Sequence, residues 1–259
     1  MRRLWEISPQ TSLGSLIRLP LRLVPRRSVV RVRSGINCGL LWVVGSGVHG
    51  CWLGHYEQDK QEAIRRYLSP GMHVFDIGAN AGFYTLASAR LVGPSGRVWA
   101  FEPYAENVRN LLRHVELNVL GNVSVVQAAV SSGVGISGFS IARNNSMGSI
   151  SDASTYLVPT LSVDEFCRQW GVAAPDVMKI DVEGTEAQVL EGARGALSQR
   201  RTVIFLALHG PEQERRCIAS LDALGYHLAY LDGQEAHHRP LRSEEVVALP
   251  PGFTAGRER

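Results

Sequence analysis

The sequence predicts an α/β fold, a doubly wound and mostly parallel sheet with helices on both faces. Three observations predict it. From His73 onward, short apolar runs alternate with amphipathic stretches long enough for helices. The run Val74-Phe75-Asp76-Ile77 ends in a glycine turn, Gly78 to Gly82, that leads directly into an apolar helical stretch. About twenty residues beyond Gly82, a second run, Val98-Trp99-Ala100-Phe101, ends in Glu102-Pro103.

Each element follows in order. Residues 57–68 read as a helix stopped by Pro70-Gly71. The first strand is 73–77 and its helix 81–91, closed by the turn cluster Gly93-Pro94-Ser95-Gly96. Strand 98–101 and helix 106–118 follow, and Gly121-Asn122 turns the chain into a strand over 123–130. Residues 131–160 are rich in Gly, Ser and Asn and read as an inserted hairpin or lid. A helix at 163–170, strand 177–182, helix 186–197, strand 202–208 and helix 212–224 come next, and runs at 227–231 and 246–249 finish the sheet. Three zones result: a basic N-terminal arm, 1–54, with a short strand at 40–44, a ligand-binding domain over 55–250, and a tail at 251–259.

Right-handed crossovers place the carboxyl ends of all parallel strands on one edge, where ligands bind. Asp76, Glu102, Gln127, Asp181 and His209 all fall at or near predicted strand ends. The strand, glycine turn, helix and acid-ended strand are how an α/β domain holds an adenosine-containing cofactor. Gly78 is expected to let the backbone approach the ligand, Gly82 to let the helix pack on the strand, and Glu102 to accept hydrogen bonds from ribose hydroxyls. The spacing is D-x-G-x-x-x-G, and an acid at Asp76 sits badly beside phosphates but well beside a cationic amino group. Both features turn the expectation from a dinucleotide to S-adenosyl-L-methionine.

Composition is that of a globular enzyme: 259 residues, 45% hydrophobic and 20% charged. Four cysteines, Cys38, Cys51, Cys167 and Cys217, form no C-x-x-C pair, which argues against a zinc site or a disulfide framework and suits a reducing, cytoplasmic setting. No apolar run approaches the ~20 residues of a membrane span. The net charge of +3 is uneven, because residues 1–35 carry eight arginines against one acid, Glu6. That arm reads as solvated, with a peripheral contact to an anionic membrane as the alternative; Pro20 and Pro25 interrupt any long anchoring helix. The core has no basic stripe with interleaved aromatics, so a nucleic-acid partner is not expected.

A second motif is Lys179-Ile180-Asp181-Val182-Glu183-Gly184-Thr185-Glu186. It delivers Asp181 and Glu183 to the ligand edge, with Gly184 allowing a sharp exit into a helix. Lys179 either faces the other side of the sheet or pairs with a carboxylate. Glu186 reads as a first-turn acid favoured by the helix dipole.

Together these segments resemble the FkbM family of S-adenosylmethionine-dependent methyltransferases. The matching pieces are VFDIGANAGFYTL (74–86), FEP (101–103), ELNVLGNVSVVQAAV (116–130), LSVDEF (161–166) and KIDVEGTEAQVLEGA (179–193), with HGCWLGHYE (49–57) resembling the lead-in. The resemblance implies a class I, Rossmann-like methyltransferase fold with a seven-stranded sheet, and methyl transfer, usually to oxygen, on a saccharide or sugar-bearing small molecule. It implies a cofactor loop at Asp76, Gly78, Asn80 and Gly82, a ribose acid at Glu102, and an adenine boundary at Gln127 and Ala128. Asp181 and Glu183 match the acidic motif near the transferred methyl. Ala207 departs from the family, which often carries a glutamate there, and His209 remains as a base.

A sugar hydroxyl is a poor nucleophile at neutral pH, so a base or a metal should assist, and Asp181, Glu183 and His209 are the catalytic candidates. A divalent metal held by Asp181 and Glu183 stays an open alternative, but no third ligand is apparent and no metal-ligating residue is assigned. Two other readings remain open: an NAD-dependent oxidoreductase, and a domain that binds S-adenosylmethionine without turnover.

Overall fold

A computed structural model of the chain describes residues 21, 23–141, 148–150, 154–236 and 241–253. Arg2, Arg3, Arg18 and Arg22 of the basic arm, much of the inserted segment and the end of the tail lie outside these residues.

A hairpin comes first, β1 (Val29–Arg31) with β2 (Leu41–Val43), then helices α1 (His49–Leu53) and α2 (Gln58–Tyr67). The alternating units follow: β3 (His73–Ile77), α3 (Phe83–Val92), β4 (Arg97–Phe101), α4 (Ala105–Leu117) and β5 (Val123–Val126). An inserted set of short strands comes next, β6 (Ala129–Val130), β7 (Gly135–Ile141), β8 (Gly148–Ile150) and β9 (Leu157–Leu161). The chain then returns through α5 (Val163–Trp170), β10 (Val177–Ile180), α6 (Glu186–Gly192), α7 (Arg194–Leu197), β11 (Val203–Ala207) and α8 (Pro211–Ala223). It ends in β12 (His227–Tyr230) and β13 (Glu245–Leu249).

The main sheet has seven strands in the order β12-β13-β11-β10-β3-β4-β5. The five strands from β11 to β5 are parallel, while β13 runs antiparallel to both β11 and β12. Chain order reverses between β3 and β10, so the crevice above their carboxyl ends is the switch point where ligands bind. Helix boundaries have local causes. Ser162 caps α5 by accepting a hydrogen bond from the backbone N–H of Glu165, the S-x-x-E pattern of a capping box.

Strand periodicity sorts the core into two layers. Phe75 and Ile77 of β3 join Met178, Ile180, Ile204 and Leu206 on one face, under α5, α6 and α8. Val74, Val98, Val177, Val203 and Phe205 lie on the other face, under α2 and α3. By the same alternation Asp76 belongs to the α2–α3 face, and its register partner is Lys179.

Two expectations change. The single strand over 123–130 is two strands in different sheets, with a break at Gln127-Ala128 where the chain leaves the main sheet. The helix over 186–197 is two, broken near Gly192, where a side chain would strike the Ser131 carbonyl. The arm's described arginines, Arg26, Arg27, Arg31 and Arg33, are exposed, but the strand that follows, placed at 41–43, is built onto the domain. Trp42 stacks on His114 of α4, and Asn118 accepts a hydrogen bond from the backbone N–H of Leu41. Among the described residues no helix is long and apolar enough to cross a membrane.

Candidate active site

A cavity of about 390 Å³ opens above the switch point. The β3–α3 turn, the end of β4 with Glu102, Ala128 after β5, the Asp181–Glu183 segment after β10 and His209 after β11 all border it. Seven of the residues singled out in the sequence therefore meet there: Gly78, Asn80, Glu102, Ala128, Asp181, Glu183 and His209.

The turn is held by Glu102, which is only 5% exposed. Its carboxylate accepts from the backbone N–H of Asn80 at 2.8 Å, from that of Tyr104 at 3.0 Å and from the Asn107 amide at 3.2 Å. Burial pushes its pKa up, and the three donors and Lys179 only partly offset that. The carboxylate is thus oriented without consuming all its acceptor sites, as a ribose diol requires.

Three of the sequence-predicted residues lie elsewhere. Asp76 is 1% exposed and does not border the cavity. It accepts a 2.6 Å hydrogen bond from the Thr85 hydroxyl and lies 3.4 Å from Lys179 Nζ, so it is buried beneath the turn. Lys179 in turn donates to the Gly78 carbonyl at 2.8 Å. The chain Asp76–Lys179–Gly78 shapes the turn from below, and the period of β3 is the reason Asp76 cannot face a ligand above it. Gln127 is exposed at the strand break and does not border the cavity. Gly82 lies behind the turn: with φ of 93°, a side chain there would meet Leu111 of α4 at 2.3 Å, so its close partner is a helix and not the strand.

Gly78 borders the cavity and also has a close neighbour behind it. Its φ is 76°, and an added Cβ would sit 1.9 Å from the Asp181 carbonyl oxygen. The close approach that demands glycine is to the neighbouring strand end, which seals the floor of the crevice.

On the β10–β11 side, charges concentrate. Asp181 Oδ2 lies 3.7 Å from both Lys60 and Lys179, while its Oδ1 is 3.9 Å from His209 Nε2. Burial works to raise the Asp181 pKa, but Lys179 and Lys60 overcome it and hold the carboxyl below its usual range. Glu183 Oε2 is 3.4 Å from His209 Nε2. Burial, with Asp181 and Glu186 nearby, raises the Glu183 carboxyl against the pull of His209. His209 Nδ1 lies 2.8 Å from Glu186 Oε1, and that bond, with the surrounding carboxylates, raises the imidazole to about 9 against the effect of burial.

Several residues here escaped the sequence reading. Lys60 is 2% exposed and bonds Glu245 at 2.5 Å and Glu57 at 3.1 Å. The signal was present: Lys60, Ala63, Ile64 and Tyr67 share the buried stripe of α2. Glu245 is the register partner of Ala207, so a carboxylate stands beside the position where the family pattern led us to expect one. Tyr84 donates to Glu57 at 2.8 Å. Backbone strain gathers at the same place. Glu57, Asn80 and Glu183 have φ of 44°, 50° and 58°, and all three border the cavity.

The donor set fits S-adenosylmethionine. The cavity wall carries Glu57, Glu102, Asp181, Glu183 and Glu245 against the ammonium groups of Lys60 and Lys179, an excess of negative charge that suits a sulfonium and an α-ammonium and opposes a dinucleotide pyrophosphate.

Comparison with known proteins agrees with this geometry. A hexuronic acid methyltransferase, AglP, from Haloferax volcanii is 29% identical over 162 residues, 61% of this chain and 66% of that protein. A protein-L-isoaspartate O-methyltransferase from Triticum aestivum is 40% identical over 55 residues, 21% of this chain and 24% of that one. A solved FkbM methyltransferase from Methylobacillus flagellatus aligns with a TM-score of 0.49 at 17% identity, over 73% of this chain and 50% of that one. The chain thus spans just under two thirds of the archaeal relative and half of the solved one. Residues 76–239 match the methyltransferase FkbM domain, and the chain belongs to the FkbM methyltransferase family.

Proposed function

We propose that the protein transfers a methyl group from S-adenosylmethionine to a hydroxyl of a saccharide or sugar-bearing metabolite. The observation that carries this reading is one cavity with a fixed ribose-type acid, Glu102 after β4, and an Asp181–Glu183–His209 cluster that begins two strands away, after β10, and is completed from β11. Two strand spacings are ~10 Å, room for a ribose and the sulfonium on its 5′ carbon between Glu102 and the first carboxylates of the cluster. The similarity to a hexuronic acid methyltransferase supports a sugar acceptor.

The cofactor supplies an activated methyl group, so the protein's main task is alignment, worth up to ~7–11 kcal/mol when fully exploited. Glu102 and the turn from Gly78 to Ala81 fix the adenosine half. The acceptor hydroxyl gives up its proton to a carboxylate of the cluster after β10 and β11, because His209, raised to about 9 by Glu186 and its other acidic neighbours, already holds its own at neutral pH.

Calorimetric titration with S-adenosylmethionine and, separately, NAD tests the cofactor. Binding of the former alone is expected, and its absence overturns the reading. Methyl-labelled cofactor with uronate-bearing glycans, neutral glycans, glycolipids and RNA then tests the acceptor. Label entering the saccharides is expected, and label entering RNA alone overturns the assignment.

A further inference from the structure

We propose that Asp181, Glu183 and His209 bind a divalent first-row metal ion such as Mn²⁺. The sequence offered two carboxylates without a third ligand, and the fold supplies it by carrying His209 in from the adjacent strand. One ligand atom from each residue lies within 4.8 Å of the others. His209 Nε2 is 3.4 Å from Glu183 Oε2 and 3.9 Å from Asp181 Oδ1. Ligands each ~2.1 Å from a common ion stand about 3–4 Å apart, so small side-chain adjustments complete the site.

The surroundings are those of a ligand set. Asp181 turns Oδ2 toward both lysines and leaves Oδ1 for the ion. Glu186 is 0% exposed; its Oε1 accepts from the Gly184 N–H and lies 2.8 Å from His209 Nδ1, which leaves Nε2 as the ring nitrogen facing Asp181 and Glu183, where a metal ion would take the place of a proton. Glu186 Oε2 has no hydrogen-bond partner in the structure, so this buried carboxyl's contacts run through Oε1, to the Gly184 N–H and to His209. Glu183, held at φ of 58°, directs its carboxylate into the same space. One imidazole and two carboxylates select Mn²⁺, Co²⁺ or Zn²⁺ over Ca²⁺, which takes oxygen ligands. The remaining positions open to the cavity, where an ion would bind and acidify a hydroxyl.

The site does not depend on the acceptor being a sugar, and its test needs no turnover. Chelator-treated protein is titrated with Mn²⁺ while the six-line solution resonance of the free ion is followed. One ion per chain is expected, with affinity reduced by about tenfold or more in Glu183→Gln and in His209→Gln. Co²⁺ substitution should give a visible spectrum that His209→Gln alters, and thermal melts establish that both variants are folded. No stoichiometric binding, or binding that both variants retain unchanged, overturns the proposal.

Discussion

Lys60 of α2 and Asp181 at the end of β10 stand 3.7 Å apart, the lysine arriving from ahead of the sheet and the acid from its centre. Burial works against the ammonium, but Glu245, Asp181 and Glu57 together raise its pKa. Removing one member of a buried charge group strands the others. Lys60→Met should therefore cost about 3–5 kcal/mol of stability, read as a lower urea midpoint. Adding Glu245→Gln should return part of the loss; a fully additive double variant would show that the two residues are not coupled.

Glu102 and Asp76 should separate cleanly. Glu102→Ala removes the acid proposed to hold the ribose and should weaken binding of S-adenosylhomocysteine at least about tenfold by calorimetry. Asp76→Asn should chiefly lower the melting temperature, because Asp76 balances Lys179 and accepts from Thr85 beneath the turn. A larger affinity loss in Asp76→Asn than in Glu102→Ala would show that Asp76 contacts the ligand directly.

The contrast explains what the sequence could and could not disclose. Local pattern located β3 and β4 within one residue, because apolar runs bounded by glycine, proline or an acid have few alternatives. It named Asp76 as a ligand residue because an acid at a strand end is conspicuous, yet the face that acid occupies is set by period-two alternation against α3. The break at Gln127 was invisible, since Val123 to Val130 is continuously strand-like and only the sheet change interrupts it. Lys60 and Glu245 are 185 residues apart, and no local signal links them.

His114 should set the acid limit of stability. It is 0% exposed, accepts from the backbone N–H of Val43 at Nε2 (2.9 Å) and donates from Nδ1 to the Ala81 carbonyl (2.8 Å). Burial lowers its pKa to about 4, the Ala81 bond opposing only in part. Because the folded value lies below the unfolded 6.5, the unfolded chain binds the extra proton first. The stabilisation is present above pH 6.5 and is lost as pH falls through about 4, a total of about 3 kcal/mol. His114→Gln should flatten that part of the stability–pH profile, and an unchanged slope would remove His114 as its source.

Gly78→Ala should destabilise by at least about 2 kcal/mol, since φ of 76° is unfavourable for alanine and its Cβ meets the Asp181 carbonyl. The displaced strand end should also weaken cofactor binding. Gly93→Ala is the control: φ is 65° there but nothing lies within 4 Å, so only the backbone penalty is expected.

The antiparallel β13 has a consequence for synthesis. Glu245 reaches Lys60 only through this strand, inserted between β11 and β12. A nascent chain still lacking it has α2 and the parallel strands but carries a lysine whose strongest partner has not been made. The pocket's charges come into balance only when β13 slides into its slot, so the ligand crevice takes its working form only after every parallel strand of the sheet has been made.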